Sequence, residues 1–372
     1  MAGTFIGPGT MKIINGRIIS GNAVIRGASV IIDDGRIGHI GKASKGGSLS
    51  VIDAKGFFVS PGFIDSHIHG DPANILPYEV RYGTTAIVPA ISCSSPADLS
   101  READSIRRFK ERASLGGCIL GLRVEGPYIS RERAGAQDKR SIKRPSVTEL
   151  RDIIKRCGPL LKIMTLAPEL NGADELIRVL REKGIIASMG HTASGYEEGL
   201  RSIDSGITHA THLFNGMRRM DARGASAALA CLSDDRIIVE IIFDLIHVRP
   251  ELLNLALAMK KKRDIILITD SVRAVSGSRR TEGGVYRLKN GTIAGSDLTM
   301  IGALRNAVKA CGVGLADAVR FAATNPAALL GAGGRKGSIT KGKDADIVIF
   351  DEDFDVKMTM VRGKIVYRKR GF

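Results

Sequence analysis

Apolar and polar positions follow two different rhythms along the chain. Near the start, short runs alternate with period two, the pattern of half-buried strands. Residues 11–15 and 17–20 flank Asn15-Gly16, and residues 28–33 and 36–40 flank Asp34-Gly35. Both dipeptides suit tight hairpin turns, so two antiparallel hairpins are expected. The same texture returns at the far end. Residues 346–350 and 357–362 read as strands, and Arg362-Gly363 turns the chain into 364–368. Two β-rich ends around a different middle predict one small β-sandwich domain, over 1–60 and 335–372, built from both termini.

The middle, 61–334, alternates short apolar runs with amphipathic stretches. Strands are expected at 63–69, 84–90, 119–125, 162–169, 185–191, 209–214, 237–244 and 264–270. Helical periodicity lies between many of them, at 96–113, 146–157, 172–183, 194–205 and 250–261. Repeated β-then-α order means a parallel sheet with right-handed crossovers. Eight such strands in a segment of this length predict a closed (β/α)8 barrel of the TIM type. No GxGxxG follows the first strand, which argues against a dinucleotide fold.

Composition narrows the function. The chain has 372 residues with 44% hydrophobic and 25% charged, the balance of a well-packed protein rather than a disordered one. Its formal charge of +16 would suit a polyanion. The basic residues are spread out, however, Trp is absent and aromatics reach only 5%, so no nucleic-acid partner is expected. No apolar run is long enough for a membrane span; residues 237–248 are interrupted by Glu240, Asp244 and His247. Residues 1–9 lack the pattern of a secretion signal, and Met11 could serve as an internal start after a loose tail. Five separated cysteines without a CxxC pair point to a reducing, cytoplasmic setting.

The candidate chemistry sits at strand ends. Asp65, His67 and His69 share parity on the first strand and so share a face. Glu125 ends the third strand, His191 the fifth and Asp270 the eighth, and His212 lies near the end of the sixth. His247 follows the seventh, so five of the seven histidines cluster at the rim where barrel enzymes keep their active sites. Imidazoles with carboxylates suit Zn²⁺, Fe²⁺ or Mn²⁺. His209 has the opposite parity to His212 and is expected to face the helices as a structural residue.

These residues stand in familiar motifs. They include Pro61-Gly62-Phe63-Ile64-Asp65-Ser66-His67-Ile68-His69-Gly70, Glu125-Gly126-Pro127-Tyr128, Gly190-His191-Thr192 and Thr211-His212-Leu213-Phe214-Asn215-Gly216-Met217. Thr269-Asp270, Gly295-Ser296-Asp297-Leu298-Thr299-Met300 and Lys341-Gly342-Lys343-Asp344-Ala345-Asp346 complete the set. In this the sequence resembles the amidohydrolase superfamily and, within it, the N-acetylglucosamine-6-phosphate deacetylase family. The resemblance implies hydrolysis of an acetamide on a phosphorylated N-acetyl amino sugar. It implies one or two divalent metal ions, zinc first, with iron, manganese or cobalt as alternatives. Glu125, His191 and His212 would hold the primary ion. His67 and His69 would supply a second site, with Glu125 bridging and Asp270 as the catalytic group close to the metals.

The resemblance also implies substrate contacts at Ala136, Gln137, Asn215, Gly216, Arg223 and His247, with Leu298, Thr299 and Met300 closing over the acetyl group. Arg223 would reach into a neighbouring subunit, which implies a homodimer. Three departures stand out. Gln137, the chain's single glutamine, replaces a customary histidine; Leu245 stands where a glycine is general; and the segment 70–83 is short. They leave a deacetylase of a different N-acetylhexosamine phosphate, or another amidohydrolase, as the alternative. A non-catalytic binding barrel would be expected to have lost ligands, and here all six are present.

Overall fold

The computed structural model describes residues 10–21, 23–41, 50–92, 94–221, 224–273, 279–281 and 283–372. It divides into two compact units. One comprises Met1–Asp65, Leu76–Ala86 and Thr299–Phe372, and the other Ser66–Ile75 and Ile87–Leu298.

The first unit holds two β-sheets. A four-stranded sheet runs in the order Arg36–Gly41, Ser29–Asp33, Met11–Ile14, Ser50–Asp53. A six-stranded sheet runs Lys364–Arg368, Val356–Val361, Ile347–Phe350, Phe58–Pro61, Arg17–Ser20, Ala23–Ile25, so both ends of the chain meet in one sheet. Met11, Ile13, Val30, Ile32 and Ile37 of one sheet share a buried core with Ile18, Val59, Ile347, Ile349 and Met360 of the other. This is the expected sandwich.

Two of the three expected turns form. Asp34 and Gly35 (φ 43° and 73°) and Arg362 and Gly363 (φ 46° and 76°) both adopt the left-handed backbone of a tight hairpin. The hairpin over Asn15-Gly16 does not form. Met11–Ile14 pairs with Ser29–Asp33 and Ser50–Asp53, whereas Arg17–Ser20 pairs with Phe58–Pro61 and Ala23–Ile25. Asn15 (φ 56°) therefore carries the chain from one sheet to the other.

The eight expected barrel strands are all present and run in sequence order. They are Phe63–His69, Thr84–Ile91, Leu122–Glu125, Leu161–Leu166, Ile186–Met189, His209–Ala210, Ile238–Ile242 and Ile265–Ile268. From the second strand to the eighth, each strand pairs in parallel with the next. The first and last strands are joined where Asp270 N–H donates to the His67 carbonyl and His69 N–H to the Ser271 carbonyl, both at 2.9 Å. Helices Pro96–Arg112, Val147–Cys157, Ala173–Glu182, Tyr196–Ser205 and Pro250–Met259 fall between the strands as expected. Ser95 and Ser146 cap the first two by accepting the backbone N–H three residues on.

A three-stranded antiparallel sheet, Arg279–Arg280, Val285–Arg287 and Ile293–Ser296, follows the eighth strand and was not foreseen in the sequence. Among the described residues, no helix is long and apolar enough to cross a membrane. Cys118, Cys157, Cys231 and Cys311 are free thiols, and Cys93 lies outside the described residues.

Candidate metal centre and active site

The site is built where strands stop. His67 and His69 alternate with buried Ile68 on the first strand, so both rings project to the barrel interior. Glu125 is the last residue of its strand and only 2% exposed. His191, His212 and Asp270 lie two residues beyond the ends of theirs, in left-handed backbone at φ 48°, 29° and 48°. A non-glycine residue pays strain there, which persists where neighbours over-determine it. Gly190 shows the crowding. A Cβ on it would lie 2.8 Å from both Thr165 Cγ2 and Thr211 Cβ, so only glycine lets His191 be reached by this path.

Six side chains then converge. Glu125 Oε1 lies 3.2 Å from His67 Nε2, 3.4 Å from His212 Nε2 and 3.9 Å from His191 Nε2. Its Oε2 is 3.6 Å from His69 Nε2. Asp270 Oδ1 lies 3.1 Å from His69 Nε2 and 3.5 Å from His67 Nε2. Two groups each place their ligand atoms within 4.8 Å of one another: His67, His69 and Asp270, and Glu125, His191 and His212. The resemblance assigns Glu125, His191 and His212 to the primary ion and His67 and His69 to a second, with Asp270 as the catalytic group.

The rings are set to donate lone pairs inward. His191 Nδ1 donates to the Arg133 carbonyl at 2.9 Å, and His212 Nδ1 to the Asn215 carbonyl at 3.0 Å. A carbonyl can only accept, so each Nδ1 carries the proton and each neutral ring turns the Nε2 lone pair to the centre. The two Nε2 atoms then face one another at 3.3 Å with no proton between them, and buried Glu125 Oε1 has no hydrogen-bond donor among the described residues. Such a nest of acceptors fits a divalent cation.

Electrostatics agree. Burial and the Arg123 charge oppose a cationic His67, yet the Glu125 and Asp270 carboxylates outweigh them and raise it to about 10. Burial alone would raise Glu125 and Asp270, but the imidazoles, His67 foremost, hold both carboxyls well below the usual range. His191 is lowered, chiefly by its own burial. The pocket as a whole calls for positive charge.

A cavity of about 560 Å³ opens on these groups. Ala136, Gln137, Asn215, Gly216 and His247 line it together with His69, Glu125, His191, His212 and Asp270. Gly216 (φ 61°) is needed for close approach, because a Cβ there would sit 2.9 Å from His191 Nδ1. His247 Nδ1 is fixed by Asp244 Oδ2 at 2.5 Å. Gln137 does more than line the wall: its Nε2 donates to Glu125 Oε2 at 2.8 Å.

Leu298 is not among the cavity's lining residues; its N–H donates to Ser296 Oγ. Thr299 and Met300 belong to the other unit. There Thr299 caps the helix Met300–Lys309 and Met300 is fully buried. Arg223 lies outside the described residues.

His209 departs from expectation. It does not face the helices; it is fully buried, with Nδ1 2.8 Å from Ser188 Oγ and Nε2 3.6 Å from Glu240 Oε1. Sequence reasoning also missed Val272, Leu288, Thr292 and Ile293, which wall the cavity from the segment after the eighth strand. Asn290-Gly291 was the available turn signal for that hairpin. Glu169, which ends the run predicted for the fourth strand, was missed as well. It accepts Thr192 Oγ1 at 2.5 Å, Ser194 Oγ at 2.9 Å and the Ala193 N–H at 2.6 Å, pinning the segment that follows His191.

Eight parallel strands with imidazoles and carboxylates gathered at their C-terminal ends define a metal-assisted barrel hydrolase. The chain belongs to the amidohydrolase family, whose model matches residues 58–366. It is 34% identical to the N-acetylglucosamine-6-phosphate deacetylase of Bacillus subtilis, covering 94% of this chain and 95% of that one. It is 30% identical to an N-acetylgalactosamine-6-phosphate deacetylase of Escherichia coli, over 85% and 90% of the two chains. Among solved structures it is similar to a mutant N-acetyl-D-glucosamine-6-phosphate deacetylase from Mycobacterium smegmatis in complex with N-acetyl-D-glucosamine-6-phosphate. That match has a TM-score of 0.88 at 29% identity, covering 96% of this chain and 99% of the other.

Proposed function

We propose that this protein hydrolyses the acetamide of N-acetylglucosamine 6-phosphate, giving acetate and glucosamine 6-phosphate. The observation that carries the reading is the paired ligand groups around Glu125, opening on a cavity lined by Asn215, Gly216 and His247. The named activities of its relatives point the same way.

Glu125, His191 and His212 would hold the primary ion, and His67, His69 and Asp270 the second, with Glu125 shared. A divalent ion lets water ionise near neutral pH and polarises the amide carbonyl. Nitrogen and oxygen donors without a thiolate suit zinc, and also iron, manganese or cobalt. Asp270 accepts the proton of the attacking water at its carboxylate and returns it to the departing amine. The water oxygen first adds to the acetyl carbonyl carbon, and the C–N bond then breaks as the nitrogen takes the proton held by Asp270, releasing acetate and the free amine. Asn215, Gly216 and His247 orient the phosphorylated sugar, with Arg223 contributed across a homodimer. The free thiols Cys118, Cys157, Cys231 and Cys311 support a reducing, cytoplasmic setting.

Acetate release is to be measured on zinc-loaded protein with N-acetylglucosamine 6-phosphate, its 4-epimer and the non-phosphorylated sugar. The reading expects the first to be fastest and the last slowest by orders of magnitude. Equal rates with and without phosphate would remove the phosphate assignment. A faster 4-epimer would transfer the activity to the galacto sugar, the alternative that the Escherichia coli relative favours.

A further inference from the structure

In a (β/α)8 barrel the interior below the rim is ordinarily filled by branched apolar side chains. Here it is polar and charged. Arg123 precedes Glu125 by two residues on the same strand and so shares its inward face. Glu240 comes from the seventh strand, and both are fully buried. Arg123 Nη1 donates to both oxygens of Glu240, at 2.7 and 2.8 Å, and to the Ser66 carbonyl at 3.1 Å. Its Nη2 donates to Thr211 Oγ1 at 3.0 Å.

Stability gives no reason for such a pair. Taking two charges out of water offsets their attraction, and apolar replacements of similar volume are often as stable or more so. What the pair touches is the strand that carries the ligands. Ser66 Oγ donates to Glu240 Oε1 at 2.9 Å, and Glu240 Oε2 lies 3.4 Å from His67 Nδ1. The other rings are steadied from behind by uncharged groups: backbone carbonyls at His191 and His212, and the Ser92 hydroxyl, 3.3 Å away, at His69. His67, fully buried, has a carboxylate in that position.

We propose that Glu240, anchored by Arg123, is a positioning residue for His67: it faces Nδ1 from behind and turns Nε2 toward Asp270 and Glu125. The inference rests on the reading of the site as a metal centre. A carboxylate behind a ligating imidazole fixes the ring and strengthens it as a donor, and losing such a partner weakens metal binding about 10- to 100-fold. The effect falls on the group formed by His67, His69 and Asp270. The ion held by Glu125, His191 and His212 keeps its affinity.

The test is zinc stoichiometry and affinity, measured by elemental analysis and chelator competition, with thermal melts alongside. The double variant Arg123→Met/Glu240→Met removes both charges, so no unpaired ion is left in the core. It is expected to melt close to the wild type, keep one ion at unchanged affinity and bind the second roughly 10- to 100-fold more weakly. His67→Ala sets the scale for losing that ion. Adding His67→Ala to the double variant is expected to cause little further loss.

Should the double variant fail to fold, Glu240→Asp keeps the charge pair but draws the carboxylate back from His67; the same selective loss is expected. Folded variants that hold both ions with wild-type affinity overturn the inference while leaving the metal centre intact. Wild-type protein that takes up no second ion overturns the inference, and one that takes up none overturns the metal-centre reading too; both are seen before any variant is made.

Discussion

Removing the Glu169 carboxylate should loosen the His191 turn without touching a ligand. Glu169 accepts three hydrogen bonds from the consecutive residues Thr192, Ala193 and Ser194, of which Thr192 and Ser194 are fully buried. Hydrogen bonds to a charged group contribute about 1.5–3 kcal/mol each, so three would sum to roughly 4.5–9 kcal/mol. That sum overcounts. The single Thr192 hydroxyl proton, given to Glu169 in the wild type, can turn to Ser194 Oγ at 2.9 Å, and Thr192 Oγ1 accepts the Ser194 N–H at 3.0 Å, so the Thr192 hydroxyl stays satisfied in Glu169→Ala. One backbone N–H and one hydroxyl lose their partner, which at about 1–3 kcal/mol each sets the loss at about 2–6 kcal/mol, toward the lower half because Ala193 is only part-buried. At roughly 2–4 °C per kcal/mol, a ~3 kcal/mol loss lowers Tm by about 6–12 °C.

The same segment holds His191 in its left-handed backbone, a conformation costing about 1–3 kcal/mol that relaxes once its neighbours are released. Zinc affinity at Glu125, His191 and His212 should then fall about 10- to 100-fold. Metal-free protein titrated with zinc against a chromophoric chelator, with melts before and after loading, reads both quantities. Glu169→Gln keeps one acceptor oxygen and should recover only part of each. A Glu169→Ala protein within 2-fold in affinity and about 2 °C in Tm of the wild type would refute the reasoning.

Three further outcomes are expected. Asp270→Asn should lower turnover about 10²- to 10⁴-fold while the ion at Glu125, His191 and His212 is retained; near-normal turnover would remove Asp270 from proton transfer. Gln137→Ala, which frees Glu125 Oε2, should weaken zinc binding about 10-fold with KM little changed. A raised KM at unchanged zinc affinity would return Gln137 to the substrate.

The last concerns pH. Burial holds His209 down to about 4 against the pull of Glu240, with the charges of Arg123 and His67 adding to burial and Ser188 Oγ alongside. The unfolded chain, with histidine near 6.5, binds more protons between about pH 4 and 6.5. His209 therefore contributes fully above about pH 6.5, and its contribution of up to ~3 kcal/mol is lost as pH falls toward 4. Urea melts of metal-free wild type should weaken across that window more steeply than those of His209→Gln, and equal slopes would refute the assignment.

The barrel was legible because its signal is repeated. Each strand carries its own apolar run and each helix its own period, so a boundary error at one leaves the others untouched. The Asn15-Gly16 hairpin failed for the opposite reason. A turn dipeptide reports what the local backbone can do, and the alternative partners for 11–14 lie at 29–33 and 50–53, out of its reach. Glu240 was visible as a carboxylate inside the apolar run 237–248, and Arg123 as a charge two residues before Glu125. Neither could be linked to His67 until strands one, three and seven were brought around one axis.

His209 shows where the period argument itself stops. Counting parity from His212 assigns His209 to the outer face, because side chains alternate as long as the backbone stays extended. The sixth strand ends at Ala210, and His212 has already turned to φ 29°. Parity carried back through that turn is reversed: His209 and Thr211 share the interior, where Ser188 lies 2.8 Å from one and 2.5 Å from the other. His191 and Asp270 are placed by the same left-handed step, just beyond the strand that carries each. Alternation thus locates His67, His69 and Glu125, which stand within regular strands. The other three ligands come in over the rim on strained backbone, and there the motif rather than the period is what identifies them.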